Sequence, residues 1–228
     1  MYKINGKFGS FLYVFFLAAL LGTISSCADK KLDVLISPAG NGYTALINHN
    51  ILLVQTPDFK APDKIPGTII LGNVNEAVFK ELAGKPINEL DYPDQDSRPE
   101  YLNAAIKDFK KQKVKIHQMR QNSYVPLRQV ELVVLAPFDK SIYDEKSHLT
   151  FKLIFGRKSF IFASVIDGDL IETLSSSYGS DGLRTDFLVV WKIKDISNEE
   201  IRQIFGNPKI IIASEIDPRT PLHFEEIF

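Results

Sequence analysis

The sequence predicts an α/β sandwich in which two β-sheets pack face to face and helices cover the outside. Three observations predict it. β-type runs and one-sided helices are mixed in both halves of the 228-residue chain, and the runs carry β-branched and aliphatic residues on both faces. Roughly 200 residues beyond the N-terminal segment are enough for one domain with a substantial core.

The first half opens with strand-like runs at residues 32–36, 43–47, 51–55 and 68–71. Turns at Gly40-Asn41-Gly42 and Asn48-His49-Asn50 separate the first three, so they read as hairpins. A helix over 75–82 aligns Val74, Val78 and Leu82 on one stripe, and a second over 99–111 aligns Leu102, Ile106 and Phe109, with Pro99 at a helix start. Between the helices, Asp91, Asp94 and Asp96 read as solvated acids of a Pro-containing linker, 91–99, that ends in a helix start at Asp96 or Ser97. The second half repeats the grammar with strands over 114–117, 130–135, 149–155 and 159–163, and Gly156-Arg157 fits a two-residue hairpin turn. A helix over 169–178, a strand over 186–191, a helix opened by a Ser197/Glu200 capping box and a strand over 209–213 complete it.

The N-terminus has the three-part layout of an export signal. Lys3 and Lys7 precede the apolar stretch 11–21, and Gly22, Thr23, Ser25 and Ser26 follow it. The apolar stretch is shorter than the ~20 residues a spanning helix needs. Ile24-Ser25-Ser26-Cys27 resembles a bacterial lipobox, which implies cleavage before Cys27, the one cysteine of the chain, and lipidation of its thiol. The expected organisation is a signal peptide over 1–26, a lipidated tether over 27–31 and a single domain over 32–228. Membrane lipid is then a partner through the acyl anchor, and Ala28 in place of an aspartate favours the outer over the inner membrane.

Composition excludes some functions. Removing residues 1–26 takes away two of the 27 basic residues and none of the 28 acidic ones, leaving a net charge of about −3. No basic field for nucleic acid exists. One cysteine allows no internal disulfide, so the fold rests on its core.

The order of segments resembles the metallo-β-lactamase fold, most closely the branch found as the C-terminal domain of competence DNA-uptake channel proteins. In that branch the first strand leads into Asp-Val-Gly-Gln-Gly-Asp; here the stretch is Pro38-Ala39-Gly40-Asn41-Gly42-Tyr43, with both glycines and neither aspartate. Gln55 stands where the resemblance places the aspartate of Ile-Asp-Thr-Gly. The His-x-His-x-Asp-His motif corresponds to Asn73, Asn75, Ala77 and Val78. The bridging aspartate falls on Val165, or on Asp167 or Asp169 with a longer loop, and the late histidine pair on Lys192 and Ile193. Active members hold zinc with imidazole and carboxylate donors. The resemblance therefore implies the scaffold without its metal ligands: no metal, no cofactor and no catalytic residue.

His49, His117, His148 and His223 lie in different segments and form no paired motif, so turn, strand-end or surface roles are expected of them. Ser147 and His148 are adjacent on a strand and point to opposite faces. Asp167, Asp169 and Glu172 precede a helix, where carboxylates suit its dipole. Trp191 is expected to face the core. The expected function is that of a lipid-anchored pseudoenzyme, a non-catalytic binding or assembly protein of the cell envelope with an envelope protein as partner. Two alternatives stay open: a divergent hydrolase with a relocated site at Asp167, Asp169 and a histidine, and a surface-exposed binding lipoprotein.

Overall fold

In a computed structural model of the protein, the residues described are 31–94, 98–127, 130–136 and 149–227. Cys27, Asp96, Ser147 and His148 lie outside them, as does the whole of the export segment. Residues Leu32–Glu226 group as one compact unit.

Two sheets form the body. The first has the order β13-β1-β2-β3-β4-β5-β6, from strands β1 (Lys31–Ala39), β2 (Gly42–Ile47), β3 (Ile51–Gln55), β4 (Thr68–Leu71), β5 (Glu89–Pro93), β6 (Lys115–Met119) and β13 (Leu222–Ile227). The second has the order β12-β11-β10-β9-β8-β7, from β7 (Tyr124–Leu127), β8 (Val130–Ala136), β9 (Thr150–Phe155), β10 (Lys158–Ile166), β11 (Phe187–Ile193) and β12 (Lys209–Ile212). Pairing is antiparallel from β1 to β3 and parallel from β3 to β6. The second sheet follows the same plan, antiparallel from β7 to β10 and parallel from β10 to β12.

Parallel neighbours need crossovers, and helices supply four of them. Helix α1 (Glu76–Leu82) joins β4 to β5, α2 (Glu100–Lys111) joins β5 to β6, α3 (Gly168–Leu183) joins β10 to β11, and α4 (Asn198–Phe205) joins β11 to β12. Alternation along each strand then sorts its side chains into layers. On β3, Ile51 and Leu53 enter the core between the sheets, while Leu52 and Val54 meet α1 and α2 through Phe79, Leu82, Leu102, Ile106 and Phe109. On β10, Phe160 and Phe162 enter the same central core, while Ile161 and Ala163 meet α3 and α4 through Leu174, Leu183, Ile201 and Phe205. The result is a two-sheet αββα sandwich, as the mixed grammar of the sequence predicts.

Local signals hold where they were strongest. Gly156 takes a positive φ of 57° in the β9–β10 turn. In α4 the Ser197 hydroxyl accepts from Glu200 N, and Glu200 reaches back to Ser197 N, the reciprocal pair of a capping box. Helix α3 runs past the expected end at Tyr178, but Gly179, with φ 62°, kinks it there.

The linker expected at 91–99 is corrected. Residues 89–93 form β5 inside the sheet, and α2 begins at Glu100 with Pro99 as its N-cap. Asp91 is not a solvated acid; its side chain is fully buried. Strands β7 and β13 also stand where the sequence reading placed none.

Candidate functional site

The positions matched to the metal-binding motifs lie at or just beyond the C-terminal ends of β4, β10 and β11, and several of them have structural tasks. Asn75 caps α1, its side chain accepting from Ala77 N at 2.9 Å. Ala77 is exposed on that helix, and Val78 is packed into the core between α1 and the first sheet. Asn73 is buried. Val165 pairs in register with Lys192 and Ile166 with Ile193, as ordinary ladder positions of β10 and β11. Lys192 is exposed, Ile193 is half-buried against the helices of its sheet, and Trp191 packs on the central core. Asp167 is the N-cap of α3, its carboxylate accepting from Leu170 N at 3.0 Å, while Asp169 is exposed in the first turn.

Gln55 fills the middle of this region. Its Nε2 donates to the Leu149 carbonyl at 2.8 Å, and its Oε1 accepts from the Ser164 hydroxyl at 2.9 Å, so one amide joins β3 to both β10 and the entry to β9. The Leu149 N–H in turn donates to the Gly72 carbonyl at 2.7 Å. A Cβ on Gly72 would collide with the Gln55 amide. Nearby, Tyr43 donates its hydroxyl within reach of the Ala163 and Val189 carbonyls, at 3.2 and 3.3 Å, and burial pushes its pKa well up.

A zinc ion of the kind the family holds does not fit these residues. Alanine, valine and isoleucine offer no donor, the Asn75 amide oxygen is used on a helix N-terminus, and the Gln55 side chain is spent on two protein partners.

The described titratable groups converge in two other places. The first lies on β5 and β6. Glu89 and Asp91 are two apart and share a face, and Asp91 is in register with His117 across the ladder. Leu90, Tyr92 and Ile116 point to the helices, whereas Ile70 and Met119, which share a face with Asp91 and His117, belong to the core between the sheets. His117 Nδ1 lies 2.9 Å from Asp91 Oδ1 and 3.1 Å from Glu89 Oε1. The carboxyl of Asp91 is pushed up to about 6, chiefly by burial, with the His117 hydrogen bond pulling down and the Glu89 charge pushing up.

The second place is Asp33 on β1. Its two carboxylate oxygens take one imidazole each, His223 Nε2 at 2.9 Å and His49 Nε2 at 3.0 Å. His49 sits in the β2–β3 turn with φ 57°, and His223 on β13.

All three described histidines therefore face carboxylates, pairings that no histidine spacing in the sequence reveals. The signal for the first cluster was present in the alternation of Glu89, Leu90, Asp91 and Tyr92, which reads as a strand with two acids on one face. The partner strand is the part the spacing does not reveal.

No protein-family model and no curated protein matches the sequence. Among solved structures the chain is similar to CmlA, a diiron β-hydroxylase from Streptomyces venezuelae, at 11% identity over 78% of this chain and 40% of that one, with a TM-score of 0.45. It thus spans less than half the length of that protein. It is also similar to the metallo-β-lactamase fold protein YhfI from Bacillus subtilis, at 12% identity over 86% of this chain and 100% of the other, TM-score 0.43. A diphosphatase of the PhnP family matches at 12% identity over 87% and 99%, TM-score 0.42. Likeness of this degree says nothing about activity.

Proposed function

We propose that the protein is a lipid-anchored lipoprotein of the bacterial cell envelope, which uses a metallo-hydrolase-like sandwich of the competence-channel kind for binding or assembly and not for hydrolysis. The observation that carries this reading is Gln55. Where the family resemblance places an aspartate, this chain puts a neutral amide whose donor and acceptor are both engaged across the sheets. A catalytic pocket needs donors aimed at a shared open point, and here the Gln55 amide is aimed at Leu149 and Ser164 instead.

The anchor rests on the sequence. Ile24 to Cys27 has the form a lipoprotein peptidase reads, and three acyl chains hold a protein firmly where one holds it marginally. No helix among the described residues is long and apolar enough to cross a membrane. Ala28 favours the outer membrane.

Two measurements test the two halves. Cys27→Ser should leave an uncleaved precursor that takes up no labelled fatty acid; normal processing of the variant would remove the anchor from the proposal. The purified full chain should show no metal-dependent turnover of β-lactam, phosphodiester or thioester substrates, and such turnover would remove the non-catalytic role. Co-purification from detergent-solubilised membranes then identifies the envelope partner. The relocated-site hydrolase has less support, since Asp167 is engaged as a helix cap.

A further inference from the structure

We propose that Glu89, Asp91 and His117 form a binding site for one divalent cation of the zinc class, on the β5–β6 edge of the first sheet and separate from the positions matched to the family's metal motifs. The inference does not depend on the non-catalytic reading above. A cation here sits on β5 and β6, whereas the family-matched positions lie just beyond β4 and at the C-terminal ends of β10 and β11.

The spacing of the donors is the first argument. Ligands about 2.1 Å from a metal, at tetrahedral or octahedral angles, are about 3.0–3.4 Å from each other. The imidazole Nδ1 is 2.9 Å from one carboxylate oxygen and 3.1 Å from the other, and one ligand atom from each of the three residues lies within 4.8 Å of the rest. These separations are close to those of a coordination sphere. Zinc would take the Nδ1 lone pair of the neutral imidazole, whose one ring proton would then sit on Nε2.

The second argument is independent of spacing. The Asp91 side chain is 0% exposed, and among the described residues its Oδ2 has no hydrogen-bond partner. Buried carboxylate oxygens in native proteins are almost always satisfied, and the exceptions point to a bound water or ion. Desolvating a carboxylate beside a second one, Glu89, is costly, and a dication neutralises both.

The donor set selects the metal. One imidazole nitrogen and two carboxylate oxygens suit borderline cations, and zinc binds such sets more tightly than manganese or ferrous iron. Calcium asks for six to eight oxygens, more than this trio supplies. Glu89 and His117 have side chains 27% and 54% exposed, so the ion is reached from solvent and water completes its sphere. The site ties β6, the outermost strand, to β5.

The test uses the full chain purified in detergent, stripped with EDTA and titrated with zinc chloride by calorimetry, with elemental analysis of the dialysed product. One equivalent of zinc is expected, with weaker manganese and no calcium binding. His117→Gln and Glu89→Gln change partly exposed side chains and should each weaken zinc binding by about tenfold to a hundredfold or more. Asn73→Ala and His223→Gln should leave it unchanged. Absence of stoichiometric zinc in the wild-type chain overturns the proposal. So does zinc that survives both the His117 and the Glu89 substitutions, which would place it elsewhere, with the Asp33 histidines as the first candidates. Hydrolytic activity of the zinc-loaded chain would overturn the non-catalytic reading and leave this site standing.

Discussion

Ser164 on β10 donates its hydroxyl to the amide oxygen of Gln55 on β3 over 2.9 Å, a buried bond between the two sheets. That bond and the one from Gln55 to Leu149 set the sheets against each other with a direction that packing alone lacks. Gln55→Ala leaves the Leu149 carbonyl and the Ser164 hydroxyl without this partner, at roughly 1–3 kcal/mol for each buried group. The expected result is a loss of about 2–4 kcal/mol in urea unfolding. A variant as stable as the parent would show that the bridge does not hold the sheets.

Gly40 and Gly42 act by different physical means. Gly40 takes a positive φ of 53°, which glycine adopts without strain, whereas a Cβ on Gly42 would strike the Gln55 carbonyl and Thr56. Backbone cannot swing away as a flexible side chain does. Gly42→Val should therefore lower the melting temperature sharply, with a cost of about 1–3 kcal/mol or more. Gly42→Ala should do the same to a lesser degree, since the clash begins at Cβ.

The raised pKa of Asp91 makes stability depend on pH in a direction opposite to that of a salt-bridged carboxylate. Its ordinary value is 3.8 and its folded value about 6, so between these the folded chain holds more protons than the unfolded one. In EDTA, the contribution from Asp91 is greatest below pH 4, declines as pH rises towards 6 and levels off above it. Asp91→Asn should flatten that decline and raise the melting temperature at pH 7.5. A wild-type and variant difference that does not change with pH would contradict the assignment.

Asp33 accepts from two histidines 174 positions apart in numbering, His49 and His223. Asp33→Asn keeps the shape and removes the charge and one acceptor, so β13 should exchange its amide hydrogens faster. Because both imidazoles are exposed, the global cost should stay at about 0.2–1 kcal/mol. Hydrogen exchange measured by fragment resolves the two effects.

How far the sequence carried depends on the range of each interaction. The Ser197/Glu200 capping box and the Gly156 turn are read from four residues or fewer, and both stand as expected. Strand β5 was hidden because Pro93 and three aspartates look like a linker, while only Leu90 and Tyr92 mark its buried face. Strand β13 is half-exposed and interrupted by His223 and Glu225, so it lacks the apolar run that identifies β10. Asp91 and Gln55 went unread for another reason. The partners that define their roles are 26, 94 and 109 positions away, beyond the reach of any local pattern.

The strand order places β13 beside β1, so the last strand in the chain covers the edge of the first. A chain that emerges N-terminus first, from a ribosome or a membrane pore, therefore shows the open edge of β1 until the residues after 221 follow it. Throughout that interval a second emerging copy offers the same β13 segment to the same edge, which is the geometry of a strand exchange between neighbours. The first sheet therefore closes its β1 edge only when β13 has arrived, late in the order in which the chain is made.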